Sequence, residues 1–135
     1  VPLGVLKKKA IQFTPELPLA KREAIERVGF GKFCKILVQL TDAKVRELKT
    51  QPSWLKVFME KPKRGFQFFN LPKYSASNLL VGVAVAEEAS LIEELNDEQL
   101  RKYVLERAPF LKAKDILNID KSQWGRDPAA LGAYC

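Results

Sequence analysis

Residues 79–86 read Leu-Leu-Val-Gly-Val-Ala-Val-Ala, with no polar side chain among them. A bilayer span needs about 20 apolar residues, so this run is far too short to cross a membrane. A strand that is apolar on both faces needs cover on both, which predicts that residues 78–86 form the centre of a sheet. The rest of the chain has to be arranged around that strand.

Residues 33–40 supply its natural neighbour. Cys34, Ile36, Val38 and Leu40 fall on one face, and Phe33, Lys35, Leu37 and Gln39 on the other, so a strand here turns one apolar side to a core. Residues 54–59 and 65–71 read as two strands joined by the turn Glu60-Lys61-Pro62-Lys63-Arg64, and Leu117 and Ile119 suggest a last strand over 116–124. Residues 11–13 are expected as a brief strand ended by Thr14-Pro15, and residues 1–6 as a short apolar piece broken by Pro2 and Gly4.

Between the strands the apolar period changes to that of a helix. Ala20, Ala24, Ile25 and Val28 share a face over 18–28. Pro18 suits its first turn, Glu23 and Arg27 pair across one turn, and Gly29 stands where the helix should stop. Thr41 can cap a helix over 42–49 that ends before Pro52. Ala89, Leu91, Ile92 and Leu95 line another helix. Leu100, Tyr103, Val104 and Arg107 line a further one, which starts near Asn96-Asp97 and stops at Pro109. Residues 127–134 are turn-like. Helices interleaved with adjacent strands predict a single α+β domain over 1–135, with a mixed, largely antiparallel sheet flanked by helices.

Composition removes several chemistries. The chain has no histidine, which excludes His-dependent triads and His metal sites within it. Cys34 and Cys135 offer neither metal-ligand spacing nor a disulfide framework, so no metal is expected and a reducing, intracellular location is. The net charge is +7, which can serve nucleic acid or an acidic complement elsewhere in a larger protein. The basic residues, Lys7-Lys8-Lys9, Lys61/Lys63/Arg64 and Lys112/Lys114, are dispersed, which disfavours nucleic acid. The chain starts at Val1 and its one methionine is Met59, so a piece of a longer product is expected.

Three blocks then stand in order. The first is Val1-Pro2-Leu3-Gly4-Val5-Leu6-Lys7 with Ile11-Gln12-Phe13-Thr14-Pro15-Glu16-Leu17-Pro18. The second is Lys21-Arg22-Glu23-Ala24-Ile25-Glu26-Arg27-Val28-Gly29-Phe30-Gly31, leading to Lys35. The third is Trp124-Gly125-Arg126-Asp127-Pro128 with Leu131-Gly132-Ala133-Tyr134. Together they resemble the flavin-containing amine oxidases: polyamine oxidases, monoamine oxidases and lysine-specific histone demethylases. The likeness is dense over 1–40 and 122–135, and weak between.

The resemblance implies the substrate domain of such an enzyme, with a sheet that covers the flavin ring. It implies FAD as cofactor and an amine, or a methylated-lysine peptide, as substrate. Hydride would leave the amine-bearing carbon for the flavin, and the reduced flavin would react with oxygen. Lys35 matches a lysine that holds a water near the reactive flavin nitrogen, where a cation can stabilise developing negative charge. Tyr134 matches an aromatic that guides the substrate nitrogen, as an aromatic face attracts a cation. Phe69 falls loosely where relatives carry a tryptophan or another aromatic at the substrate. Trp124 matches a tryptophan beside the flavin. Pro2 and Leu3 belong to the segment that passes between the FAD domain and the substrate domain. Ala133 stands where some members carry a flavin-linking cysteine, which implies non-covalent FAD.

Departures also count. No G-x-G-x-x-G occurs, so the chain alone should not hold FAD and is expected to be inactive without the remaining FAD-binding part. Thr41-Asp42-Ala43-Lys44 replaces an aromatic pair, and Ala86 a common glycine. A non-catalytic amine-oxidase-like interaction domain is the main alternative. Arg64-Gly65-Phe66-Gln67-Phe68-Phe69 also partly imitates the aromatic strand of an RNA-recognition module, in which exposed phenylalanines stack on bases.

Overall fold

The computed structural model describes residues 1–58 and 65–133. The helices are α1 (Leu3–Lys7), α2 (Leu19–Arg27), α3 (Asp42–Leu48), α4 (Ala86–Glu94) and α5 (Asp97–Arg107). The strands are β1 (Phe33–Leu40), β2 (Trp54–Phe58), β3 (Gly65–Asn70), β4 (Leu79–Val85) and β5 (Ile116–Lys121). The strands form one five-stranded sheet in the order β2-β3-β4-β1-β5. The doubly apolar run, β4, takes the middle place. Every pairing among the described residues is antiparallel.

One face of this sheet builds the core. Cys34, Ile36, Val38 and Leu40 of β1, Phe68 of β3, Leu80 and Ala84 of β4, and Ile116 and Ile119 of β5 are buried together. The helices close over them with Leu48 of α3, Ala89 and Ile92 of α4, and Leu100, Tyr103 and Val104 of α5. Gly82 pairs with both Ile36 and Phe68. A residue without a side chain between two large, fully buried ones lets their volumes meet. The T-shaped contact of Phe68 with Phe110, at 5.6 Å, fills the same layer.

The helix ends follow the local chemistry. Thr41 Oγ1 accepts the Lys44 N–H at the start of α3. Asn96 and Gln99 form a reciprocal capping box at the start of α5. Lys44 is buried because its Nζ donates to Glu47 at 2.7 Å and to the Phe110 carbonyl. Tyr103 donates to Glu88, and Arg107 Nε lies 3.4 Å from the same carboxylate, so α4 and α5 share one ion-paired joint. Burial, and then the Glu88 hydrogen bond, push the Tyr103 phenol well above its ordinary pKa and keep it a donor.

Several expectations are corrected. Residues 3–7 are helical: Pro2 occupies the N-cap and so needs no helical N–H. Residues 11–13 form no strand. Ile11 and Phe13 are exposed, with no neighbouring strand to pair with among the described residues. The last strand ends at Lys121, and Trp124 stands in a turn beyond it. The expected α+β class with a largely antiparallel sheet flanked by helices holds, every described pairing being antiparallel. Residues 60–64, including Lys61, Lys63 and Arg64, lie outside the described residues, as do Tyr134 and Cys135.

The face assignment has a direct test. Phe68→Ala should cost about 3–5 kcal/mol, the usual range for a buried phenylalanine. Phe69→Ala, on the other face, should cost much less in the same urea titration. Equal losses would mean that the register is wrong.

Candidate functional site

The second face of the sheet carries no helix from the core layer. Register fixes what stands on it. Lys35 pairs with Val83, and Val83 with Gln67. In the adjacent row Trp54 pairs with Phe69, Phe69 with Val81, Val81 with Leu37, and Leu37 with Asp120. Directly paired residues project to the same side, so these two rows share one surface. It is apolar in the middle, with an aromatic end on β2 and β3 and an acid on β5. Leu37, Leu79, Val81 and Val83 are half-buried, while Val85 is 58% exposed.

Lys35 and Phe69 are therefore brought to one surface, two strands apart. Strand spacing and rise put their backbones about 12 Å from each other. Phe69 does not stand alone. Its ring stacks on Tyr74 at 5.8 Å with 5° between the planes, and meets Trp54 at 5.0 Å and 58°. Tyr74 OH and Ser53 Oγ are hydrogen-bonded. Trp54 and Tyr74 are 46% and 60% exposed, so this aromatic wall faces outward. Neither was singled out from the sequence. Pairing of the two predicted strands around 60–64 was the available signal for Trp54, whereas Tyr74 arrives from a loop.

The three sequence blocks meet in one corner at the head of β1. A Cβ on Gly4 would lie 2.6 Å from the carbonyl oxygens of both Ala130 and Leu131. The start of α1, which bears Pro2 and Leu3, is thus packed directly on the 130–131 backbone. Gly132, at φ +140°, is in a conformation that favours glycine, and an added Cβ would meet the Phe30 ring at 2.6 Å. Ala133 N–H donates to the Gly31 carbonyl, and Gly132 N–H to that of Trp124. Glu93 of α4 is buried and accepts the Gly125 N–H at 2.9 Å, which fixes the turn below Trp124. Trp124 itself is 45% exposed, Pro2 exposed and Leu3 half-buried.

Other features lie apart. A broad hollow of about 1100 Å³ lies between α2 and residues 9–17, lined by Leu6, Ile11, Phe13 and Ile25. None of Lys35, Phe69 and Trp124 lines it. No cluster of potential metal ligands occurs among the described residues, and no described helix is long and apolar enough to cross a membrane. The RNA-module motif fares poorly as a stacking platform: Phe68 is fully buried, and Phe69 is engaged by Trp54 and Tyr74.

The family model described as flavin containing amine oxidoreductase matches residues 1–135. The chain is similar to "Probable polyamine oxidase 4" of Arabidopsis thaliana, at 33% identity over 99% of the chain and 27% of that protein. It is also similar to "Lysine-specific histone demethylase 1 homolog 1" of Oryza sativa subsp. japonica, at 32% identity over 99% of the chain and 16% of that protein. A further relative is "Protein FLOWERING LOCUS D" of Arabidopsis thaliana, at 30% identity over 99% of the chain and 18% of that protein. The chain spans about a quarter or less of the length of these relatives.

Gly4→Ala tests the corner. Overpacking against two carbonyls should cost about 1–3 kcal/mol, read as a lowered unfolding midpoint. An unchanged midpoint would show that α1 does not rest on residues 130–131.

Proposed function

Because the chain belongs to the flavin-containing amine oxidoreductases, we propose that it is the substrate-side portion of an FAD-dependent amine oxidase. The intact protein would oxidise a C–N bond of an amine to an imine, which then hydrolyses, with peroxide as the other product. One observation carries this: Lys35 and the Phe69 aromatic wall stand on the same uncovered, apolar sheet face.

That face fits a planar ring. Its centre is apolar along β4, and Lys35 stands beside that strip on β1, one strand in from the β5 edge. The residues fit only this side, since the chain has no Gly-rich loop for the pyrophosphate. The remaining FAD-binding part of the protein is its proposed partner, and the FAD is proposed to be non-covalent. When bound, the flavin supplies the hydride acceptor and passes electrons on to oxygen.

The chain's own residues take defined parts. Lys35, exposed on β1, presents an ammonium that orients water and stabilises negative charge on the acceptor side. Val81, Val83 and Leu37 exclude water around it, which strengthens that interaction. Phe69 and Tyr134 are the proposed substrate contacts, joined by Trp54 and Tyr74, whose ring faces attract a cationic amine. Asp120, at the far end of the Phe69 row, adds a carboxylate about 14 Å from Phe69 by strand spacing. An elongated amine with a second ammonium suits that separation, so a polyamine is the first substrate proposed and an N-methylated lysine peptide the second. Trp124, Pro2 and Leu3 border the cofactor from the corner. The unpaired thiol of buried Cys34 fits the reducing, intracellular location proposed.

Absorbance tests the proposal on the intact gene product. It should purify with a flavin spectrum that bleaches under anaerobic addition of a polyamine. A colourless product, or a flavin that no amine reduces, would sink it. Lys35→Met should retain FAD but slow flavin reduction or reoxidation by on the order of 100-fold. Rates equal to wild type in both half-reactions would remove the catalytic role of Lys35.

A further inference from the structure

The ladder between β1 and β5 changes character where it reaches the lysine. After a register shift at Gln39/Leu40 it runs regularly to Ile36 and Lys121. At the next step Ser122 N–H donates to the Lys35 carbonyl at 2.8 Å, as a strand residue would. The return bond is different. Lys35 N–H is met at 2.9 Å by the Ser122 hydroxyl, and the Ser122 carbonyl instead accepts the Cys34 thiol at 3.3 Å. The chain leaves the sheet here, on its way to Trp124, and its carbonyl has turned out of the ladder. A side-chain oxygen takes over the acceptor's place.

We propose that Ser122 is the positioning residue for Lys35, locking the lysine-bearing backbone to the segment that carries Trp124. The inference rests on the proposed role of Lys35. Both polar backbone groups of Lys35 are held by this single residue. The same segment returns to the chain just ahead of β1 through Ala133 N–H and the Gly31 carbonyl. Residues 122–133 are therefore pinned to the strand at two points, one beside the lysine and one at its head. With alanine at 122 the Lys35 N–H loses its acceptor, because the carbonyl that would replace the hydroxyl faces the Cys34 thiol. The pinning beside Lys35 then rests on one bond.

The test uses the intact flavoprotein and three readouts: amide exchange resolved at Lys35, FAD content, and the two flavin half-reactions. In the wild type the Lys35 amide should exchange slowly even though its side chain is exposed, and fast exchange there overturns the proposal without any variant. Ser122→Ala should accelerate that exchange about tenfold and slow the half-reaction that Lys35→Met slows, with FAD retained. Ser122→Thr keeps the hydroxyl and should restore both, whereas Ser122→Val, of the same shape, should not. The double variant Ser122→Ala/Lys35→Met should be no slower than Lys35→Met alone, since a residue acting through the lysine has nothing left to position. Additive losses, or a Val variant as good as Thr, overturn the positioning role. An unaltered Lys35→Met overturns the reading beneath it, and is seen separately.

Discussion

The central strand dictates the architecture because it is apolar on both sides. β4 lies between β3 and β1, and its buried positions, Leu80, Gly82 and Ala84, are closed by Phe68, Ile36 and the helices. Its other side chains, Leu79, Val81, Val83 and Val85, have no second helical layer above them among the described residues. Burial is worth roughly 25 cal/mol per Å² of apolar surface, so a face of this kind favours a covering body. Contiguous apolar surface on a folded chain marks an interaction site. The chain spans 16% and 27% of the lengths of a histone demethylase and a polyamine oxidase relative.

That constraint also explains which parts of the fold were legible in the sequence. β1 is read to the residue, since strict alternation over 33–40 leaves one face to the core and one to Lys35. β4 is placed at the sheet centre by composition alone. Both helix starts with strong caps, at Thr41 and Asn96, are recovered because a side-chain oxygen fixes them locally. The errors fall where the deciding partner is distant. Gly4 reads as a breaker, yet its missing side chain is what allows α1 to rest on Ala130 and Leu131. Ile11 and Phe13 look like a strand, but residues 11–13 pair with no described strand.

The site divides along the same line. Lys35 was singled out because a resemblance to a family surrounds it, and the convergence of the three blocks follows from contacts no pattern displays. The aromatic wall was half-seen. Phe69 could be named from the sequence, while Trp54 joins it through strand register and Tyr74 through the return of the loop after β3. Register is a property of two strands together, so single-strand periodicity is blind to it. Ser122 was invisible for a further reason: a lone serine after a strand carries no signal until the orientation of its own carbonyl is known.

Two kinds of restraint therefore act on the lysine surface, and they differ in what they tolerate. Across the sheet, Lys35 is held by ladder geometry, which accepts many side chains on Val83 and Leu37 so long as they remain apolar. At the corner the tolerances are much narrower. Gly4 and Gly132 each leave no room for a methyl group, and Glu93 lies where a Cβ on Gly125 would be. Close backbone approach admits few residues, whereas an apolar core admits many of similar volume. The two ends of the chain must therefore fit each other closely, whereas the middle has only to build a sheet with one sealed face and one open one.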